Sequence, residues 1–533
     1  MNRPKFYIYL PIVFALILIL GIFIGNTFQL HNNFGTLNID SKNKFSKIDE
    51  ILRYVNDEYV DTIKADQLVD KTIVAMLQNL DPHSAYISAD ELASTNEPLQ
   101  GNFEGVGIEF NIVDDTIRVV ASIPGGPAES VGVQAGDKLI KVEGKKVAGI
   151  KITNKQVMEN LKGKGGTKVK VSIMRKGKPN LIDFTITRGK IPIYSVDVAY
   201  MVNSKTGYIK ISRFAATTFD EYKTAFEKLQ LQRMQQLIID LRGNGGGYLN
   251  TAVDLADEFL SDGKEIVYTQ GKARNRKDYK ATKKGEFENG KLIILIDDGS
   301  ASASEILSGA LQDNDRATIV GRRSFGKGLV QEQSEFSDGS AIRLTIARYY
   351  TPTGRCIQKP YTDNLEAYYD EEYKRFTSGE LESADSIKIS DSLKFKTPAG
   401  KIVYGGGGIT PDVFVSLDTS GRSHYLSEVA FNGLINDFAF DYADKERQKL
   451  KAFKTIQNFN KSFVITPDVF EAFIVYAEKN KIPRNEKQIN TSQEIIKTQL
   501  KALIARNIWN SEGYYPVIQS QDNILKKAIQ LMK

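Results

Sequence analysis

The sequence of 533 residues contains only one cysteine and three histidines. A single cysteine, Cys356, excludes an internal disulfide framework and any cysteine-based zinc site. The histidines, His31, His83 and His424, lie far apart and form no cluster of metal ligands. We therefore expect neither a metal ion nor a cofactor, and we expect these four side chains to be non-catalytic.

Long runs of basic residues are also absent. The 71 Lys and Arg residues are nearly balanced by 65 Asp and Glu residues, which leaves a net charge of +6. This even distribution of charge gives no support to nucleic-acid binding. With 41% hydrophobic residues and this length, the chain is expected to fold into three or four globular domains.

One long uncharged stretch is present, from Phe6 to Leu30, and it follows Arg3 and Lys5. About 20 apolar residues cross a bilayer as a helix, and basic residues before the span favour a cytoplasmic N-terminus. We therefore expect residues 1–30 to be a single-pass anchor in a cytoplasmic membrane, with the body of the chain in a periplasmic or other extracytoplasmic space. A cleaved signal peptide is the alternative interpretation.

The spacing of hydrophobic residues predicts the domain organisation of the remaining chain. Residues 31–95 and 416–533 show a helical period, whereas residues 96–190 mostly alternate with a period of two. Strands and helices alternate in residues 191–415, which predicts a layered domain around a largely parallel sheet. The predicted fold class is therefore α/β, with an inserted β-rich module and flanking helical regions.

Two phrases of the α/β region contain residues suited to chemistry. In LIIDLRGNGGGYLN (237–250), a buried strand runs into a loop with four glycines, where close backbone N–H groups could face a developing oxyanion. In DDGSASASEILSGALQ (297–312), three serines stand at every second position before a helix-like run. Taken alone, these serines fit either a polar turn or a nucleophile.

A third phrase, VGRRSFGKGLVQEQ (320–333), partly matches a phosphate-binding loop. That loop needs Ser or Thr after its lysine and then a helix, but here Gly328 follows Lys327 and the next residues alternate like a strand. A nucleotide-binding enzyme is therefore poorly supported. Desolvation lowers the pKa of a buried lysine, so Lys327 could act as a general base. Gln331 falls on the same face of the predicted strand, where its side-chain carbonyl could orient the lysine.

These phrases resemble the C-terminal processing peptidases, or tail-specific proteases, which are Ser/Lys serine endopeptidases with a PDZ domain. The resemblance spans residues 45–415, and it also rests on the phrases RYYTPTGRCIQ and GGGGITPDV. It implies that Ser302 is the nucleophile, Lys327 the general base and Gln331 the residue that orients the lysine. It also implies an oxyanion hole made by the N–H groups of Ala303 and of either Gly246 or Gly247.

Three residues near the implied nucleophile are given structural roles. Ser300 and Ser304 are expected to cap or pack, and Glu305 has the spacing of a capping-box partner of Ser302. Between the last two family phrases lies a charged, tyrosine-rich insertion, about residues 361–404. We expect this insertion to be a surface excursion.

The β-rich module resembles a PDZ domain through the phrases GVGI (105–108) and PAESVGVQAGDKLIKVEG (127–144). The resemblance implies that a substrate C-terminus adds as a strand, with its carboxylate on backbone N–H groups of the first phrase. The expected peptide-binding residues are Gly105, Val106, Gly107 and Ile108. Expected partners are proteins with exposed C-termini, whereas an adaptor protein and the oligomeric state are left open.

The function predicted from the sequence is that of a membrane-anchored serine endopeptidase. It would recognise C-terminal tails through its PDZ domain and hydrolyse peptide bonds through an acyl-enzyme. A catalytically silent PDZ scaffold that binds tails is the alternative hypothesis. The presence of Ser302, Lys327 and Gln331 together disfavours that alternative, because a decayed site should have lost at least one of them.

Overall fold

The computed structural model describes residues 46–361, 365–387 and 390–533. The chain forms two compact units, Met1–Leu77 and Gln78–Lys533. The described part of the first unit consists of helix α1 (Ser46–Glu58) and helix α2 (Ala65–Gln78), which ends one residue beyond the unit. Both helices agree with the helical period of this part of the sequence.

The second unit begins with strand β1 (Ala85–Ile87) and helix α3 (Ala89–Gln100), and a β-rich module follows. The elements of the module are β2 (Asn102–Gly105), β3 (Ile108–Val113), β4 (Thr116–Ser122), α4 (Pro127–Ser130), β5 (Lys138–Val142), β6 (Lys145–Lys146), α5 (Asn154–Leu161), β7 (Lys168–Met174), β8 (Ile182–Thr187) and β9 (Gly189–Pro192).

The main sheet of the module is antiparallel, in the order β3-β4-β5-β7-β8, with β6 beside β5. Asp114 and Asp115 both have positive φ and form the two-residue turn between β3 and β4. Strands β2 and β9 pair with each other, so the module's entry and exit lie side by side. Because β3 is an edge strand, it can accept an additional strand.

The α/β domain follows the module. Its elements are β10 (Val196–Met201), β11 (Thr206–Ile211), α6 (Thr218–Gln230), β12 (Gln236–Asp240), α7 (Leu249–Asp257), β13 (Glu265–Gln270), β14 (Lys277–Lys280), β15 (Lys291–Ile296), α8 (Ala303–Asp313), β16 (Thr318–Gly321), β17 (Leu329–Glu335) and β18 (Ala341–Tyr350).

The remaining described chain is mainly helical, and a helical period was predicted only for its part from residue 416 onward. It consists of α9 (Leu365–Thr377), β19 (Lys394–Lys396), β20 (Ile402–Tyr404), β21 (Val413–Phe414), α10 (His424–Phe431), α11 (Leu434–Lys445), α12 (Arg447–Lys451), α13 (Ile456–Ser462), α14 (Pro467–Lys479), α15 (Glu486–Ile518) and α16 (Asn523–Met532), with three short 3₁₀ turns.

A six-stranded sheet in the order β10-β11-β12-β15-β16-β21 forms the centre of the α/β domain. All its pairs are parallel except β10 with β11. Successive residues of β12 face opposite sides: Ile239 packs into the cluster that contains α8, and Ile238 packs against residues of α16. The sheet is therefore covered on both faces, which explains why its strands are almost continuously apolar.

A second sheet lies beside the first and follows the order β1-β18-β13-β14, with β17 also paired to β18. Its strands come from distant parts of the sequence. Strand β17 begins two residues after Lys327, and a bulge interrupts its pairing between Val330 and Gln331. The strand predicted after Lys327 is confirmed, and it replaces the helix that a phosphate-binding loop would need.

The predicted membrane anchor, residues 1–30, lies outside the described residues. Within residues 46–361, 365–387 and 390–533, no helix is long and apolar enough to cross a bilayer. Helix α15 has 33 residues, but it carries charged side chains along its length and has non-helical backbone at Trp509 and Asn510. The predicted single-pass location in a cytoplasmic membrane, with the body outside, is therefore corrected: no described helix supplies a membrane span, and the location of the protein is not established.

Candidate active site

Three loops meet at one edge of the central sheet because parallel strands share the direction of their carboxyl ends. The loops follow β12, β15 and β16, and they carry the glycines, Ser302 and Lys327, respectively. In open α/β sheets this edge is where ligands bind. Here a cavity of about 580 Å³ is lined by Ser302, Lys327, Gln331 and the glycine loop, so the structure brings the predicted residues together.

Ser302 directly precedes α8, and its backbone has φ 54° and ψ −113°. A non-glycine residue in this region is strained, and such strain is common where a side chain must be presented to a ligand. Gly246 lies against this turn. A methyl group built on Gly246 would come within 2.8 Å of the Ser302 Cβ and within 2.8 Å of the Ala301 carbonyl oxygen.

Lys327 and Gln331 interact directly through their side chains. The Lys327 ammonium donates to Gln331 Oε1 at 3.1 Å, and Gln331 Nε2 donates to the backbone carbonyl of His83. Burial lowers the pKa of Lys327, and the Arg343 guanidinium lowers it further, whereas the carboxylates of Asp81 and Glu305 oppose both effects. A lowered pKa increases the fraction of neutral amine near pH 7, and only the neutral amine can accept a proton.

Glu305 connects the serine and the lysine through their backbones. Its Oε2 atom accepts the N–H groups of Ser302 and Lys327, both at 2.8 Å. Its Oε1 atom accepts the Gly326 N–H at 2.7 Å and the Ser324 hydroxyl at 2.5 Å. Burial raises the pKa of this carboxyl, and these four donors oppose the increase by stabilising the carboxylate. The capping spacing in the sequence indicated the contact with Ser302 but not the contact with the lysine loop.

Tyr349 makes a second bridge, which sequence reasoning missed. Its buried hydroxyl lies 3.1 Å from the Ser302 carbonyl oxygen and 2.8 Å from that of Lys327. Tyr349 belongs to β18, and its place in the phrase RYYTPTGRCIQ is the signal in the sequence that could have drawn attention to it. Since Glu305 contacts the N–H groups and Tyr349 the carbonyl groups, the two backbones are fixed on both sides.

The serine and glycine loops are also joined by buried hydroxyl groups. Ser300 Oγ donates to the Leu241 carbonyl at 2.8 Å, and Ser304 Oγ donates to the Asn244 carbonyl at 2.9 Å. Both hydroxyls are therefore engaged with the backbone, in agreement with the structural roles predicted for them.

The candidate oxyanion donors differ in their availability. The Gly246 N–H donates to the Asn244 side-chain oxygen at 2.9 Å. By contrast, the N–H groups of Gly247 and Ala303 donate to no residue within the described chain. Ala303 is the first residue of α8, where helix N–H groups normally lack partners and favour negative charge. The geometry therefore favours Gly247 over Gly246 as the second donor, whereas Gly246 is needed for its small size.

We predict that Gly246→Ala disrupts the site, because its φ of +100° and its contact with Ser302 leave no room for a methyl group. The expected loss is about 2–4 kcal/mol of unfolding free energy, the range that follows from left-handed strain and overpacking. Thermal or denaturant unfolding measures this effect. Gly245→Ala is the matched control, since a methyl group there meets nothing within 4 Å. Equal stability of both variants would contradict this interpretation.

The predicted peptide-binding phrase lies between β2 and β3 of the β-rich module. Gly105 ends β2 beside the C-terminus of α5, and a methyl group on it would lie 3.6 Å from the Leu161 carbonyl oxygen. Gly107 has φ +77°, and the N–H groups of Val106 and Gly107 donate to no described residue. Ile108 begins the edge strand β3. This combination of free N–H groups and a free strand edge is suited to a chain end.

Family models match three parts of the chain. Peptidase family S41 matches residues 205–366, and the PDZ domain matches residues 105–186. A family of unknown function (DUF8443) matches residues 425–510, within the C-terminal helices.

Similar proteins include two bacterial proteases. The carboxy-terminal-processing protease of Bartonella bacilliformis is 37% identical over 356 residues, which cover 65% of this chain and 81% of that protein. The carboxy-terminal processing protease CtpA of Bacillus subtilis is 35% identical over 317 residues, which cover 59% of this chain and 67% of that protein. Among solved structures, the photosystem II D1 C-terminal processing protease is 27% identical and has a TM-score of 0.37, with 70% of this chain and 87% of that chain covered.

The matched models and relatives define a serine protease with a PDZ domain. The chain belongs to the carboxy-terminal processing proteases of peptidase family S41, as the resemblance in its sequence predicted. The predicted α/β fold class with a PDZ module is likewise confirmed.

Proposed function

We propose that this protease captures the C-terminal tail of a protein on its PDZ domain and cleaves the chain by a Ser302–Lys327 acyl-enzyme mechanism. The observation that carries the proposal is the arrangement around Glu305. One carboxylate oxygen accepts the N–H groups of both Ser302 and Lys327. Residues that are 25 positions apart in the sequence are thereby fixed beside one cavity.

In the proposed reaction, neutral Lys327 accepts the proton of the Ser302 hydroxyl while the Ser302 oxygen attacks the scissile carbonyl carbon. The oxyanion of the tetrahedral intermediate accepts the N–H groups of Gly247 and Ala303. The Lys327 ammonium then gives its proton to the leaving amine, and the acyl group stays on Ser302. Water hydrolyses this ester with Lys327 again acting as the base. Gln331 accepts a hydrogen bond from Lys327 and so limits where the amine can point.

Serine and lysine are not hydrogen-bonded to each other here: no contact joins Ser302 Oγ and Lys327 Nζ among the described hydrogen bonds. Catalytic hydrogen bonds often tighten only when substrate is bound. We therefore propose that the amine moves from Gln331 toward Ser302 as the substrate displaces water from the cavity.

The pH dependence of cleavage is expected to respond to Arg343. The positive charge of Arg343 lowers the pKa of Lys327, so Arg343→Gln should raise that pKa. In a plot of kcat/KM against pH, the rising limb should then move to higher pH. The rate at neutral pH should then fall, and the rate at high pH should recover. Arg343→Lys retains the charge and is expected to leave the limb close to its wild-type position. A limb unchanged in Arg343→Gln would contradict the role of this charge.

The proposed tail capture is tested with two versions of one unstructured protein that ends in an apolar residue. One version has a free C-terminal carboxylate and the other a C-terminal amide. The full chain should bind and cleave the carboxylate version, whereas the amide version should bind about tenfold more weakly or worse, because the PDZ N–H groups lose their anion. Binding of the carboxylate version without cleavage would support the silent-scaffold alternative. Equal binding of both versions would exclude capture through the carboxylate.

A further inference from the structure

The insertion at residues 361–404 is more than a surface excursion. Tyr368, Arg375 and Glu380 within it are buried, although the segment is highly charged. Arg375 and Glu380 also lie beyond residue 366, where the match to peptidase family S41 ends. The sequence predicted exposure from composition, and composition does not reveal which charged side chains pair inside the protein.

Arg375, on helix α9, binds the loop that carries Lys327. Its Nη1 donates to the Ser324 carbonyl at 2.8 Å, and its Nη2 donates to the Phe325 carbonyl at 3.1 Å. Its Nε donates to Glu371, four residues earlier on the same helix, at 2.7 Å. The guanidinium is therefore buried, paired with a carboxylate and directed at two consecutive carbonyl groups.

The same loop is bound from its other side by Glu305. The carboxylate accepts the N–H groups of Gly326 and Lys327 and the hydroxyl of Ser324. A buried anion thus satisfies the donors of the loop, and a buried cation satisfies its acceptors. Charged hydrogen bonds in a site with little water are strong and directional, so a small movement of either partner should move the loop.

Helix α9 also reaches the lysine side chain by a second route. The Tyr368 hydroxyl lies 2.8 Å from His83 Nε2. The backbone carbonyl of His83 accepts Gln331 Nε2, and Gln331 Oε1 accepts the Lys327 ammonium. Burial lowers the pKa of His83 to about 4, so this contact joins neutral groups near pH 7. The insertion therefore contacts the backbone before Lys327 directly, and it is linked to Gln331, the partner of the lysine amine, through His83.

We propose that helix α9 positions the catalytic lysine, with Arg375 as the main positioning residue and Tyr368 as the second. This inference rests on the proposed Ser302–Lys327 mechanism. Loss of Arg375 leaves the Ser324 and Phe325 carbonyls without their donor, and the lysine loop then samples positions from which the amine does not reach Ser302. Misplacement of a catalytic group by about 1 Å can lower the rate of a reaction about 100-fold.

The test compares kcat and KM of the full chain for a protein with an apolar C-terminal tail. Arg375→Ala is expected to lower kcat about 10- to 100-fold with little change in KM. Tyr368→Phe keeps the ring and is expected to lower kcat about threefold, because it removes only the hydroxyl contact. The kcat of Arg375→Lys should lie between those of wild type and Arg375→Ala, since an ammonium cannot bind two carbonyls as a planar guanidinium does.

Lys374→Ala is the matched control, because Lys374 is an exposed cation on the same helix and its side chain is bonded to no described residue. It should retain the wild-type kcat within about twofold. Equal losses of kcat in Lys374→Ala and Arg375→Ala would overturn the inference. A change in KM with no change in kcat for Arg375→Ala would also overturn it. If Arg375→Ala does not fold, wild-type kcat in both Arg375→Lys and Tyr368→Phe would overturn it. Absence of cleavage by wild type would instead contradict the proposed mechanism, so the two failures are distinguishable.

Discussion

Lys327→Ala is expected to lower the rate of peptide hydrolysis about 10⁴- to 10⁶-fold, because it removes the proposed base while the serine remains. Removal of the base in a serine protease has effects of this size. The amine is partly buried, and its lowered pKa increases the fraction of the neutral form at a given pH. Steady-state cleavage of a protein with an apolar C-terminal tail measures the loss.

Lys327→Arg tests the role of Lys327 as a base more specifically than Lys327→Ala does. It keeps the positive charge and much of the side-chain length, but a guanidinium does not lose its proton in proteins. We therefore expect Lys327→Arg to be as inactive as Lys327→Ala. Tail binding should be unchanged in both, since the PDZ phrase 105–108 is a separate site. Substantial cleavage by Lys327→Arg would show that a group other than Lys327 removes the proton.

Asp313→Ala is expected to cause the largest loss of stability. Asp313 ends α8, the helix that begins after Ser302, and its carboxylate pairs with Arg355 at 2.6 Å. Both side chains are fully buried. Removing one partner leaves an uncompensated charge in the interior, which typically lowers the free energy of unfolding by about 3–5 kcal/mol. Denaturant unfolding followed by circular dichroism measures the change.

The control for this variant breaks an ion pair at the surface. Asp262→Ala removes the partner of Lys283, where the two side chains are 52% and 86% exposed. The expected change is below about 1 kcal/mol, since solvent screens such pairs. Comparable losses in Asp313→Ala and Asp262→Ala would contradict the importance of burial for the Asp313–Arg355 pair.

The approach of the Ser302 and Lys327 loops to one edge of the central sheet could be predicted because each follows a strand, whereas the roles of the two residues came from the family resemblance. Parallel strands bring their carboxyl ends to one edge, and the strong apolar runs of β12 and β15 made these strands easy to recognise. The PDZ module was equally predictable, because its antiparallel strands are neighbours in sequence and their alternation is visible.

The second sheet could not be predicted in the same way. Strand β18 pairs with β1, about 250 residues earlier, and with β13 and β17. Alternation identifies a strand but does not name its partners, so the approach of His83 and Asp81 to the lysine was invisible in the sequence. Tyr349 was missed for the same reason, since its role depends on two loops that meet only after folding.

The burial of Arg375 within the insertion was not predicted, because charge in a sequence normally indicates exposure. Arg375 and Glu371 are four residues apart on α9 and pair with each other, which lowers the cost of burying them. That spacing was present in the sequence, but nothing there indicated that the carbonyls of Ser324 and Phe325 would complete the arrangement. The burial of Arg375 is therefore a property of the tertiary fold.

The proposed acyl-enzyme is tested most directly by trapping it. The full chain is mixed with a peptide ester, quenched in acid within milliseconds, and its mass is measured intact and after digestion. We expect a mass increase equal to the acyl group on Ser302 in the wild type, and none in Ser302→Ala. An acyl group on another residue, or wild-type hydrolysis that continues in Ser302→Ala, would contradict the Ser302–Lys327 mechanism.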